Sequence, residues 1–225
     1  VDITNYILSK TNKLERQPEE YQIPPGFEMY NTGGVEVEVG EFLYSFVRMA
    51  KPDLILETGT HLGISSVYMA LACQRNKRGK VLTYEVLEGL RQEAQALWID
   101  VDVANEIDSV LKSSLDVSLD KDVKIDILFL DSEPQYRFAE FEKFWPNLRD
   151  GGFIFIHDLD HHMAHHGMTY HDVYDWPYGD FRESLGPYMK SLKVQSIALP
   201  NPRGMMFFQK ARDNFAFLNH MKGII

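Results

Sequence analysis

Two spacings of apolar residues alternate along this chain. From Val37 to Ala50, Phe42, Leu43, Phe46, Val47 and Ala50 recur at helical intervals until Lys51-Pro52, which predicts an amphipathic helix. Leu54-Ile55-Leu56 is then a short unbroken apolar run, typical of a strand buried on both faces, and it ends in Glu57-Thr58-Gly59. The alternation repeats, with a helix over Ile64 to Gln74, a strand over Val81 to Val86 and a helix carrying Leu90, Ala94, Leu97 and Trp98. A weaker strand is expected over Ile107 to Leu111, and a clear one over Ile125 to Leu130, stopped by Asp131. The next helix sets Phe138, Phe141, Phe144, Trp145 and Leu148 on one face, and Asp150-Gly151-Gly152 then turns into a strand over Phe153 to Ile156. Phe181, Leu185, Tyr188, Met189 and Leu192 mark a last helix. Lys193 to Leu199 and Met205 to Gln209, joined by Pro200-Asn201-Pro202-Arg203-Gly204, read as an antiparallel hairpin.

Strands alternating with helices predict an α/β fold, an open and mostly parallel sheet with helices on both faces and ligands at the carboxyl ends of the strands. Residues 1–35 are polar and rich in turn formers (Pro18, Pro24, Pro25, Gly26, Gly33, Gly34), which predicts an N-terminal arm with a short helix. Residues 36–225 then form a single domain, for which 225 residues with 44% hydrophobic content supply one core. A formal charge of −10 argues against a phosphate backbone as partner, so no nucleic acid is expected. The single cysteine, Cys73, excludes a disulfide within the chain and a Cys-based zinc site. No apolar run is long enough for a membrane span, and a cytoplasmic setting is expected.

The segment Glu57-Thr58-Gly59-Thr60-His61-Leu62-Gly63-Ile64-Ser65-Ser66 joins a buried strand to a helix through two glycines and carries two hydroxyls at the helix start. Gly59 and Gly63 allow close backbone approach to a ligand, and Ser65, Ser66 and the free amides there suit a carboxylate. The G-x-G-x-x-G spacing that packs against a dinucleotide pyrophosphate is absent, and Glu57 favours a cationic amino acid group instead. Glu85 ends the next strand, where an acidic side chain accepts hydrogen bonds from a ribose diol. The expected ligand is a nucleoside with a zwitterionic amino acid tail. A bland alternative is a tight turn with capping serines beside a solvated glutamate.

On these residues the chain resembles the class I S-adenosylmethionine-dependent methyltransferases, with their Rossmann-like, mostly parallel seven-stranded sheet and terminal antiparallel hairpin. Gly40-Glu41-Phe42-Leu43 through Thr60 is similar to the catechol and caffeoyl-coenzyme A O-methyltransferases. Asp131, Tyr136, Gly151-Gly152 and His157-Asp158 resemble the macrolide and sugar O-methyltransferases. The resemblance implies O-methylation of a small-molecule hydroxyl, on a secondary metabolite, sugar or phenol, by in-line displacement from S-adenosylmethionine. It places Glu57, Gly59, Thr60, His61, Gly63, Ser65, Ser66 and Asp131 around the cofactor, Glu85 on the ribose, and Ser113 or Ser114 near the adenine. Gly33, Gly34 and Val35 would close over the methionine end.

Metal-dependent relatives hold Mg²⁺ at the strand ends occupied here by Asp131 and Asp158, but Leu159 leaves that ligand set incomplete, so metal dependence stays open. Pro134 stands where relatives carry a lysine or histidine base. The substitute is expected in the run His157-Asp158-Leu159-Asp160-His161-His162-Met163-Ala164-His165-His166, in which His157 or His161 can accept a proton near neutral pH, assisted by Asp158. His171 follows closely, and Tyr170, Tyr174, Trp176 and Tyr178 form an aromatic cluster suited to an acceptor. Two rival functions remain: a metal-dependent hydrolase or oxygenase built on the histidines, and a non-catalytic cofactor-binding module. The oligomeric state is left open, a homo-oligomer included.

Overall fold

The computed structural model describes residues 2–18, 26–158, 196–199 and 203–210. Asp2 caps the first helix, α1 (Ile3–Leu8), by accepting from the Asn5 amide at 2.9 Å. A small antiparallel ribbon follows, β1 (Arg16–Pro18) with β2 (Glu28–Tyr30). These N-terminal elements are anchored: Ile3, Ile7, Leu14, Tyr30 and Val35 are buried in the main core. The Thr4 hydroxyl donates to Glu41 at 2.6 Å and meets the Tyr68 hydroxyl at 2.8 Å, which in turn meets that of Tyr30.

The main sheet has seven strands: β3 (Leu54–Thr58), β4 (Lys80–Glu85), β5 (Ile107–Leu111), β6 (Ile125–Leu130), β7 (Leu148–His157), β8 (Ser196–Leu199) and β9 (Met205–Gln209). Their spatial order is β5-β4-β3-β6-β7-β9-β8, parallel from β5 to β7, with β9 antiparallel to both neighbours. The helices α2 (Val37–Ala50), α3 (Ile64–Asn76), α4 (Glu88–Val101) and α5 (Pro134–Phe144) link and cover the strands. All six residues of β6 are buried, as its unbroken apolar sequence requires of a central parallel strand. In α3 every residue from Ile64 to Cys73 is buried, so the helix that follows the glycine loop is a core element.

Two boundaries differ from expectation. The helix α5 ends at Phe144, because Pro146 has no amide to continue it, and Leu148 belongs to β7. Asp150-Gly151-Gly152 therefore lies inside β7, at a register shift opposite Ile125 and Ile127, where Gly151 adopts φ +77°. The helix expected over Phe181 to Leu192 lies outside the described residues.

Register fixes where a ligand can sit. Thr58 pairs with both Tyr84 and Leu130, Glu85 with Leu111, and Leu130 with Ile156. The carboxyl ends of five strands thus stop at one level. The connections leave β3 toward β4 on one side and arrive from β6 on the other, opening a crevice at that edge.

Candidate active site

A cavity of about 580 Å³ lies at this edge, within the range of small-ligand sites. Its wall is made by the loops after β3, β4, β5 and β6, together with Gly34, Asp158 and Arg203.

In the loop after β3, Gly59 and Gly63 adopt φ +82° and +75°. A Cβ on Gly59 would stand 2.5 Å from the Asp131 carbonyl oxygen, and one on Gly63 2.5 Å from Trp98 Nε1 and 2.9 Å from Ala94 Cβ. Neighbouring protein, the loop after β6 and the helix α4, thus demands glycine at both positions, and both also line the cavity. Gly63→Ala combines a left-handed backbone with overpacking and is expected to lower stability by about 2–4 kcal/mol, read from urea unfolding.

Beneath the loop, Glu57 is fully buried and accepts from Ser65 Oγ at 2.5 Å and from Ser66 Oγ. Burial raises its carboxyl to about 7 against the opposing pull of Ser65, Ser66 and Thr83. Neither Glu57 nor Ser66 reaches the cavity wall, whereas Gly59, Thr60, exposed His61, Gly63 and Ser65 do. The Thr60 hydroxyl meets that of Thr83 at 2.6 Å.

Glu85, at the end of β4, faces the cavity. Its Oε2 accepts from the His61 amide at 2.8 Å, and its Oε1 accepts from the amides of Val86 and Leu87 at 2.8 and 2.9 Å. Three backbone donors fix this carboxylate and leave lone pairs toward the cavity. After β5, Ser113 accepts from the Leu115 amide at 3.2 Å, and Ser114 donates to Glu140.

Glu140 and Arg137 escaped the sequence reading. Glu140 is buried and accepts from the hydroxyls of Thr58 (2.9 Å), Ser132 (2.7 Å) and Ser114, so one carboxylate ties together three of the loops around the cavity. Arg137 is 2% exposed; its Nε and Nη2 donate to the Ser132 carbonyl at 2.8 and 2.5 Å, and Nη1 donates to the His157 carbonyl. A signal for both existed: Arg137, Glu140, Phe141 and Phe144 have the i, i+3, i+4, i+7 spacing of one buried helical stripe.

The reactive end is a cluster of six charged groups. His157 is fully buried, with Nε2 2.8 Å from Glu36 and Nδ1 3.1 Å from Asp131 and 3.2 Å from Asp158. Burial opposes charge on the ring, but Asp158, Asp131 and the hydrogen bonds from Asp131 and Glu36 outweigh it and lift His157 to about 10. Arg203 Nη2 donates to Asp158 Oδ2 at 2.9 Å, and its Nε lies 2.7 Å from Oδ1 as an ion contact without hydrogen-bond alignment. Arg203 also donates from its amide to Glu36 at 3.1 Å and from Nη1 to the Gly34 carbonyl. Arg137 Nη2 lies 3.4 Å from Asp158 and 3.8 Å from Asp131. Glu36, Asp131 and Asp158 thus face one imidazolium and two guanidiniums, a balance of charges.

Asp131 and Asp158 line the cavity, whereas His157 does not. Both ring nitrogens of His157 are engaged behind the wall, which sets it apart from an exposed base. His161, His162, His165, His166, His171 and the aromatic cluster lie outside the described residues. Glu36 and Arg203 went unnoticed because they are far apart in sequence and carry no local motif.

Comparison with known proteins gives the arrangement a family setting. Residues 56–159 match the methyltransferase domain family. No curated protein matches the chain in sequence. Among solved structures, the O-methyltransferase TomG of Streptomyces achromogenes, involved in tomaymycin synthesis and in complex with S-adenosylmethionine, aligns at TM-score 0.64 and 18% identity over 80% of this chain and 82% of its own. A Bacillus cereus O-methyltransferase in complex with S-adenosylhomocysteine aligns at 0.60 and 19%, over 79% and 83%. A Podospora anserina methyltransferase bound to S-adenosylhomocysteine aligns at 0.68 and 12%, over 94% and 88%. Residues 56–159 thus carry a methyltransferase-domain match, and the chain shares the Rossmann-like fold of these solved methyltransferases.

Proposed function

We propose that the chain transfers the methyl group of S-adenosylmethionine to a hydroxyl oxygen of a small molecule. The observation that carries this reading is Glu85, a cavity-facing carboxylate held by three backbone amides beside the glycine loop. Such a carboxylate suits a ribose diol, and the walls from Leu87, Leu90 and Ser113 suit the base. Thr60, His61, Gly63 and Ser65 present the loop to the amino acid tail, while Glu57 and Ser66 act from below by fixing the start of α3. When bound, the cofactor supplies an electrophilic methyl group, so the chain's main task is to align the acceptor oxygen with it and exclude water.

That two of the structural relatives are O-methyltransferases supports oxygen as the acceptor atom. For the acceptor proton, His161 remains the proposed base, since His157 sits behind the wall with both nitrogens engaged. Asp158 is proposed to orient this end of the site. A hydrolase or oxygenase built on the histidines gains no support from the domain match. No helix among the described residues is long and apolar enough to cross a membrane.

Titration calorimetry with S-adenosylmethionine tests the reading. Hydrogen bonds to a charged group are worth about 1.5–3 kcal/mol each, so Glu85→Ala should weaken binding at least about tenfold. An acceptor screen read by S-adenosylhomocysteine release then identifies the substrate. No heat of binding by the unsubstituted protein would overturn the proposal.

A further inference from the structure

Asp131, His157 and Asp158 place one ligand atom each within 4.8 Å of one another, the spacing of a divalent-cation site. Their chemistry in this chain does not fit one. Both oxygens of Asp158 face Arg203, at 2.7 and 2.9 Å, and Arg137 lies 3.4 Å from the second of them. Asp131 has His157 at 3.1 Å and Arg137 at 3.8 Å. A Mg²⁺ ion needs carboxylate oxygens at about 2.0–2.1 Å in near-octahedral order, and here it would have to enter between two guanidiniums that cannot lose their charge.

We propose that Arg137 and Arg203 occupy the electrostatic place of a divalent cation at this end of the cavity, so that the chain is metal-independent and the two guanidiniums supply the positive charge facing the acceptor. The inference rests on the methyltransferase reading of the cavity. Both arginines line it, so their charge reaches the ligand space directly. They arrive from opposite directions. Arg137 projects from α5 and is locked by the carbonyls of Ser132 and His157, whereas Arg203 projects from the turn before β9. Arg203 also holds the Gly34 carbonyl and, through its amide, Glu36, which joins the N-terminal segment to the end of β7. A metal ion would organise the two aspartates alone; this arrangement organises them together with the segment that brings Gly34 to the cavity wall.

The experiment uses Mn²⁺ as the probe, followed by electron paramagnetic resonance and calorimetry on the full chain after chelator treatment. The unsubstituted protein should bind no Mn²⁺ up to about 1 mM, the weak end of biological cation sites. Arg203→Met removes the guanidinium from both oxygens of Asp158 and should raise Mn²⁺ affinity at least about tenfold, with Asp158→Asn in the same background abolishing the gain. Stoichiometric micromolar Mn²⁺ binding by the unsubstituted protein, lost in Asp158→Asn, would overturn the proposal, as would an Arg203→Met protein that gains nothing. Should Arg203→Met fail to fold, the melting temperature of the unsubstituted protein with and without about 1 mM Mg²⁺ decides: no shift is expected, and a rise of several degrees would overturn the proposal. S-adenosylmethionine calorimetry in chelator is scored separately, so loss of cofactor binding indicts the methyltransferase reading and Mn²⁺ binding indicts only this one.

Discussion

Replacing Arg137 by methionine is expected to lower stability by about 3–5 kcal/mol, a large share of the roughly 5–15 kcal/mol that holds a domain folded. The side chain is 2% exposed and fills its site, so methionine restores much of the volume and none of the donors. The partly buried Ser132 carbonyl then loses two donors and the buried His157 carbonyl one. Asp131 and Asp158 lose a nearby cation, which leaves three carboxylates facing two positive groups. Lysine keeps the charge but cannot fork between two carbonyls and a carboxylate, so Arg137→Lys should recover less than half of the loss. Urea unfolding followed by tryptophan fluorescence reads both variants. A loss below about 1 kcal/mol for Arg137→Met would mean that these contacts are no stronger than a solvated surface pair.

Arg137 also marks where sequence reasoning stopped. The strands and helices were legible because burial on both faces leaves unbroken apolar runs, as in Ile125 to Leu130, and burial on one face leaves helical periodicity, as in Val37 to Ala50. The carboxylate at the end of β4 was legible because strand-end position and residue type together define Glu85. Roles that depend on a distant partner were not. Glu57 looked like a ligand for a cation, yet Ser65 and Ser66, eight and nine residues on across the loop, bind it. Gly59 and Gly63 were legible as loop glycines, but the close packing of Asp131 and Trp98 that also demands them was not. Glu36 and Arg203 stand 167 residues apart, and no periodicity links a helix cap to a hairpin turn. His157 was singled out as a base from its residue type, and only the fold brings up the three carboxylates that favour a charged ring.

That assignment predicts how stability responds to pH. The groups facing the His157 ring are Glu36 at the start of α2, Asp131 at the end of β6 and the adjoining Asp158, with Arg137 and Arg203 behind the two aspartates. Asp158, Asp131 and Glu36 raise the ring from 6.5 to about 10 despite its burial. A group raised in the folded state binds its proton there while the unfolded chain releases it, so its contribution is complete below about 6.5 and lost as pH rises through about 10. Between these limits the folded chain holds about one more proton than the unfolded chain, and stability should fall by about 1.4 kcal/mol per pH unit. Two other buried groups bound the usable window. Glu57, raised from 4.5 to about 7, loses its contribution over that lower interval, and Cys73, raised from 9.0 to about 12, over the higher one. Measurement from about pH 7 to 9 therefore isolates the imidazole, with an expected loss of roughly 2–3 kcal/mol in urea unfolding. His157→Asn should be less stable at pH 7 and nearly flat across the window. A flat profile for the unsubstituted protein would show that the ring is neutral when folded, and it would return His157 to consideration as a proton acceptor.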